Sequence, residues 1–205
     1  MHTGNLFLVS APSGAGKTSI VNAALAADAK LVVAVSHTTR PARGGEVDGK
    51  NYHFISDERF SQMIDSAEFL EHANVFGNRY GTSKAEVTNK REQGQDVILE
   101  IDWQGAQTIQ SVGREAISIF IAPPTKQELE NRLRKRGKDS EETISIRMSQ
   151  ATSDMKKAES YNYVVVNDSF ETATNQLLTI ISAERLRTSH QIKSNETLAS
   201  LLSPK

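Results

Sequence analysis

The sequence predicts an α/β fold, a parallel sheet flanked by helices of the phosphate-loop NTPase type, on three observations. Strand-length runs of Val, Ile and Leu alternate with longer helical stretches, the pattern of a parallel sheet with crossover helices. The runs are nearly continuous, as strands buried on both faces should be. The first run leads straight into Ala11-Pro12-Ser13-Gly14-Ala15-Gly16-Lys17-Thr18 and then into a helix, the placement of a phosphate-binding loop.

The elements follow in order. Central strands are expected at Leu6–Ser10, Leu31–Val35, Val97–Ile101, Ile117–Ile121 and Tyr163–Val166. Helices are expected over Lys17–Ala27, Gln104–Ser111, Gln127–Arg136, Glu141–Ala158 and Glu171–Leu186. Ser83 with Glu86, and Thr125 with Glu128, have the spacing of capping boxes. Residues 36–93 break the alternation. They are rich in Gly, Asn, Tyr and charge, carry two short half-exposed strands (Tyr52–Ile55 and Phe69–Phe76), and read as an α+β insert between core strands. Residues 126–158 are a second departure, two helices in a row joined by Gly137-Lys138-Asp139-Ser140. The tail, 188–205, is polar apart from Leu198, Leu201 and Leu202; a frayed end and a small docking helix are both open.

Composition bounds the function. The 205 residues suit one domain with movable inserts. Lys and Arg number 24 against 25 Asp and Glu, a net charge of −1, which excludes a basic coat for nucleic acid or anionic lipid. The absence of cysteine excludes disulfides, thiolate metal sites and thiol nucleophiles. The apolar run Leu6–Val9 is too short for a secretory leader or a membrane span. The chain is therefore expected in the cytoplasm with no membrane or nucleic-acid partner, and a homo-oligomer is left open.

The phosphate loop departs from the Walker A pattern only at Ala11, where Gly is usual; Gly16, Lys17 and Thr18 match. Gly14 and Gly16 allow consecutive amides to turn inward around a phosphate, and the following helix adds its N-terminal dipole. Lys17 is placed to bridge β- and γ-phosphate oxygens, and the Thr18 hydroxyl to ligate Mg²⁺. This implies an ATP or GTP site with magnesium. Glu100 and Asp102 share one face at the end of a buried strand, where acids beside a phosphate loop hold Mg²⁺ directly or through water; simple solvation of a strand end is the alternative. Asp102 takes the stronger role in this reading and Glu100 a weaker one.

Arg40 and Arg43, with Tyr52 nearby, suit a second phosphate, since guanidinium forks bind phosphate oxygens in pairs. A solvated basic loop fits the spacing equally. Arg132 and Arg136 share a helix face and Arg147 lies on the next helix, an arrangement that an exposed helix also shows without function.

The succession SHTTRPARGGEVDGKNYHF, FLEHANVFGNRYGTS and LEIDWQGAQ, with APSGAGKT, NRLRKRG and VVVNDSF, resembles the motifs of guanylate kinase in order over residues 5 to 187. The resemblance implies transfer of the γ-phosphoryl group of ATP to GMP or dGMP, a GMP-binding insert (36–93) and a mobile lid (126–158) on a core of 1–35, 94–125 and 159–187. It places acceptor-phosphate ligands at Arg40, Arg43, Tyr52 and Tyr80, and guanine readers at Ser36, Glu71 and Thr82. Asp102 falls near the acceptor, Arg132, Arg136 and Arg147 reach the transferring phosphoryl, and Asn167-Asp168 lies by the adenine and ribose.

The chemistry at Glu71 stands beside the resemblance. A carboxylate accepts from guanine N1–H and its 2-amino group together, whereas adenine meets it with a lone pair. Each charge-assisted bond is worth roughly 1.5–3 kcal/mol, and such a site rejects a substrate lacking the donors by about 10⁴–10⁵. No general base is expected, because the GMP phosphate is already ionised. His37, His53 and His72 are expected at the surface or in packing. A sugar kinase on the same scaffold would lose Glu71, Tyr80 and Thr82. A peptide-binding scaffold module would lose the phosphate loop, and a GTPase would carry an Asn-Lys-x-Asp motif, which is absent.

Overall fold

The computed structural model describes residues 3–75, 77–113, 115–135 and 140–202. Its core is a five-stranded parallel sheet in the order β2-β7-β1-β8-β9, formed by β1 (Leu6–Ser10), β2 (Leu31–Val33), β7 (Asp96–Glu100), β8 (Ile117–Ala122) and β9 (Tyr163–Val166). Strand β1 pairs with both β7 and β8 and so lies at the centre. Its alternation sorts the core into two layers. Phe7 and Val9 pack with Ile98, Ile119, Ile121 and Val165 against α1 (Lys17–Ala27) and α7 (Phe170–Arg185). Leu6 and Leu8 pack on the other face with Val97, Leu99 and Ile109, the last from α4 (Trp103–Ser111).

The insert forms its own four-stranded sheet in the order β4-β3-β6-β5, from β3 (His37–Thr38), β4 (His53–Phe54), β5 (Phe69–Val75) and β6 (Asn78–Ser83). Phe60 and Met63 of α2 (Asp57–Asp65) pack with Phe69 into a small separate cluster. Leu70 of β5 and Val87 of α3 (Lys84–Glu92) instead join the main core and anchor the insert to it. In the segment expected as a lid, α5 (Lys126–Lys135) and α6 (Glu141–Met155) pack through Leu129, Leu133 and Ala151.

Several boundaries shift from expectation for local reasons. The second strand ends at Val33, because the Val35 amide donates to the Glu86 carboxylate at 3.0 Å. The helix expected over Glu141–Ala158 stops at Met155 and tightens into a 3₁₀ turn over Lys156–Ser160. The two capping boxes form only by half. Ser83 and Thr125 accept from the Glu86 and Glu128 amides at 3.4 and 3.0 Å. The acids turn to stronger cationic donors instead, Glu86 to Lys90 at 2.6 Å and Glu128 to Arg132 at 2.7 Å. The tail is helical, as α8 (Thr188–Ser194) and α9 (Glu196–Leu202), with Leu201 and Leu202 exposed. Arg136 and Phe76, expected to close a helix and a strand, lie outside the described residues. Among the described residues no helix is long and apolar enough to cross a membrane.

Candidate active site

The loop Ala11–Thr18 joins buried strand β1 to α1, so its amides face the C-terminal edge of the parallel sheet, where α/β sheets bind ligands. Gly14 and Gly16 hold φ of 92° and 96°, a region that side-chain-bearing residues avoid. Gly16 has a second reason to be glycine. A Cβ there would come within 2.4 Å of the Asn167 amide nitrogen, and that nitrogen donates to the Ala15 carbonyl at 2.7 Å. Gly14 faces the lid, where a Cβ would meet Leu133 at 3.0 Å.

A cleft of about 450 Å³ opens beside the loop, lined jointly by core, insert and lid. The core supplies Ala11, Pro12, Ser13, Gly14, Gly16, Lys17 and Thr18, and opposite them Glu100 and Asp102. The insert supplies Ser36, Tyr52, Glu71 and Tyr80, and the lid supplies Arg132 and Arg147. Three segments far apart in sequence thus meet at one polar cavity.

Lys17 donates to the Ile101 carbonyl at 3.2 Å. Burial lowers its ammonium below the ordinary lysine range, while the charges of Glu100, Asp102 and Glu71 pull it back up. The Thr18 hydroxyl donates to Glu100 at 2.8 Å. Asp102 is committed elsewhere: it caps α4, accepting from the Gly105 amide at 2.8 Å. Glu100 therefore stands nearer the Thr18 hydroxyl than the sequence ranking of the two acids suggests, because Asp102 lies beyond the strand end in a helix cap. Among the described residues no three His, Asp or Glu side chains cluster into a metal cage. Thr18 and Glu100 are hard oxygen donors, fitting for a magnesium ion that keeps several waters and takes other ligands from phosphates.

Glu71 is 5% exposed. Its Oε1 accepts from the Thr82 hydroxyl at 2.7 Å, and that hydroxyl lies 3.3 Å from Ser36 Oγ. Burial pushes the carboxyl up to about 7 against the pull of the Thr82 hydrogen bond, and the Asp102 charge adds to the rise. A Cβ on Gly105 would come within 2.5 Å of Glu71 Oε2. Gly105 was not among the expected site residues; it is there to let the carboxyl approach α4.

The arginines divide. Arg40 is 8% exposed, stacks 5.4 Å from the Tyr52 ring centre, and pairs with Glu46 at 2.8 Å. Its hydrogen bond to the Glu46 carboxylate raises the guanidinium above the ordinary arginine range. Glu46 also accepts from the Arg43 amide at 2.7 Å, so it orients the whole basic loop, a role that no sequence motif signalled. The Arg43 side chain is exposed, and so is Asp168. Arg132 bonds Glu128 at 2.7 Å and the Asn167 carbonyl at 3.1 Å; Arg147 lies 3.4 Å from Ser13 Oγ. Arg136 falls outside the described residues. Asn167 is buried, and its side-chain amide donates to the Ala15 carbonyl and braces the phosphate loop. His37 and His53 stack at 4.6 Å, in packing as expected.

The guanylate kinase family profile matches residues 3–184. The guanylate kinase of Escherichia coli strain K12 is 51% identical over 204 residues, covering 98% of this chain and 99% of that protein. That of Alkalilimnicola ehrlichii is 50% identical over 188 residues, covering 92% and 93%. The crystal structure of guanylate kinase from Anaplasma phagocytophilum superposes with a TM-score of 0.80 at 33% identity, covering 100% of this chain and 98% of that one.

Proposed function

The chain belongs to the guanylate kinase family, and from this we propose that the cleft transfers the γ-phosphoryl group of ATP to GMP or dGMP, releasing ADP and the nucleoside diphosphate. One observation carries the acceptor assignment. A buried carboxyl, Glu71, is backed by the hydroxyls of Thr82 and Ser36 and faces the same cavity as the phosphate loop. Only a base presenting donors on its N1 edge satisfies that arrangement, and guanine does.

In this reading, the backbone N–H groups of Ser13, Gly14, Ala15 and Gly16 wrap the donor phosphates, Ala11 and Pro12 open the loop, and Lys17 spans the β- and γ-oxygens. Arg40, Arg43, Tyr52 and Tyr80 hold the acceptor phosphate, with Glu46 setting the angle of Arg40. Arg132 and Arg147 approach from the lid, and Arg136 extends the same helix face. Asp168 remains available to the donor nucleoside. Thr18 and Glu100, with Asp102 through water, would hold magnesium, which neutralises phosphate charge when bound. Catalysis then rests on positioning and on cations placed around the equatorial oxygens. The acceptor phosphate is itself the nucleophile, ionised at neutral pH, so no side chain has to remove a proton. Core (1–35, 94–125, 159–187), insert (36–93) and lid (126–158) form the working parts, and a cytoplasmic setting suits an enzyme of free nucleotides.

The test is ADP release measured with ATP, Mg²⁺ and each of GMP, dGMP, AMP, CMP and UMP. GMP and dGMP should turn over while the other three lag by about 10⁴-fold. Comparable rates with AMP would remove Glu71 from its role.

A further inference from the structure

The lid helix α6 turns one face into the cleft, through Arg147, Gln150 and Asp154, the i, i+3, i+7 spacing of a single helical stripe. Arg147 sits at the phosphate loop, 3.4 Å from Ser13. Seven residues on, at a rise of about 1.5 Å each, Asp154 lies roughly 10 Å further along the cleft. It stands on the side of Asp102, whose charge it feels, and faces the indole of Trp103. Glu71 and Asp102 are neighbours across Gly105, whose Cβ position is 2.5 Å from Glu71 Oε2 and 3.5 Å from Asp102 Oδ1. All three acids line the same cleft: Glu71 adjoins Asp102 across Gly105, and Asp154 lies within reach of the Asp102 charge.

Guanosine presents its donors in succession from its Watson–Crick edge round to its sugar edge: N1–H, the 2-amino group, then the ribose 2′-hydroxyl. Resting on the guanylate kinase reading, we propose that Asp154 is a further specificity residue, which accepts a hydrogen bond from the 2′-hydroxyl of the acceptor. The lid then does more than deliver arginine to the phosphates: it senses that a ribonucleotide occupies the acceptor site. A carboxylate beside a second carboxylate gains most from such a donor, because the hydroxyl relieves the repulsion at its own oxygen.

The experiment compares kcat/KM for GMP and dGMP in the wild-type protein, Asp154→Ala and Asp154→Asn. The wild-type ratio should favour GMP by about tenfold, the lower end for a hydrogen bond to a charged group. In Asp154→Ala the ratio should fall to near one, mainly through KM for GMP, and in Asp154→Asn it should fall part of the way. A thermal melt followed by far-UV circular dichroism reports whether each variant keeps its fold; if Asp154→Ala does not, the Asp154→Asn ratio decides. A wild-type ratio near one, or the same ratio in wild type and variants whether or not both rates drop, overturns the proposal. Failure of the wild type to phosphorylate GMP at all would instead overturn the guanylate kinase reading beneath it.

Discussion

Glu71 carries a cost in the empty protein. Its folded carboxyl titrates at about 7, above the ordinary 4.5. Between those values the folded chain keeps a proton that the unfolded chain has lost, so stability falls as pH rises through that window. The N1–H and 2-amino donors of guanine favour the ionised form, so GMP affinity should rise with pH up to about 7 and then level off. Calorimetric titration of GMP between about pH 5.5 and 8 checks the profile. In Glu71→Gln the slope should shrink to the part set by the second ionisation of the GMP phosphate, at about pH 6, and GMP binding should weaken by about a hundredfold or more for two charge-assisted bonds. The same variant should melt higher than wild type at pH 8 without nucleotide, since the buried charge is gone. Glu71 was legible only through the motif around it. As a single acid in a short strand nothing in the chain marks it as buried, and its partner Thr82 arrives by the β5–β6 pairing.

The strand–loop–helix unit of β1 and α1 shows how far local pattern reaches. Its glycines, its lysine and the helix start at Lys17 follow from the residue order, because phosphate loops are built from contiguous backbone. The support of the loop does not. Asn167 reaches Ala15 from 152 positions away, and Leu133 of the lid crosses over Gly14. Gly16→Ala forces a side chain into φ +96° and against the Asn167 amide. Backbone strain of about 2 kcal/mol should lower the melting temperature by roughly 4–8 °C. ATP binding should weaken with it, since the displaced Asn167 no longer holds the Ala15 carbonyl. Isothermal titration with an ATP analogue and a thermal melt test both effects; an unchanged melt would mean that the loop relaxes freely. The half-formed capping boxes carry the same lesson. Ser83 and Thr125 cap as their spacing predicts, but Glu86 and Glu128 are drawn to cations that the folded helices bring near.

At the end of the molecule away from the nucleotide cleft, Arg185 of α7 ties the edge of the sheet together. It bonds Asp96 at 2.5 Å and Asp28 at 2.7 Å, and Asp96 also accepts from the Asn5 amide at 2.6 Å. Asp96 is 4% exposed. Arg185→Ala strands that carboxylate, and breaking a buried pair by removing one partner costs about 3–5 kcal/mol. The variant should melt roughly 6–20 °C lower while kcat/KM for GMP at 20 °C stays at the wild-type value, because Arg185 touches no part of the cleft. A loss of activity in the still-folded variant would show that the sheet edge communicates with the site. The charge balance of the whole chain has a related logic. A net charge of −1 seems ill suited to two polyanionic nucleotides, yet Lys17, Arg132 and Arg147 line the cleft and Arg40 lies just behind it. Acids elsewhere, several of them engaged in surface ion pairs, cancel these cations in the sum but not in the cavity.

The parallel sheet, its strand order of appearance and the phosphate loop were readable along the chain, because buried strands and glycine turns are contiguous signals. The α2 helix and the partner strand β6 went unread: short amphipathic elements inside a polar insert carry too few apolar positions to stand out. The roles of Glu46, Gly105 and Asn167, the commitment of Asp102 to a helix cap, and the stripe of α6 that faces the cleft emerge only in three dimensions. Each depends on a hydrogen bond or a close approach between segments that the chain keeps apart. Sequence spacing records which face of its own element a residue occupies; only packing determines what that face meets.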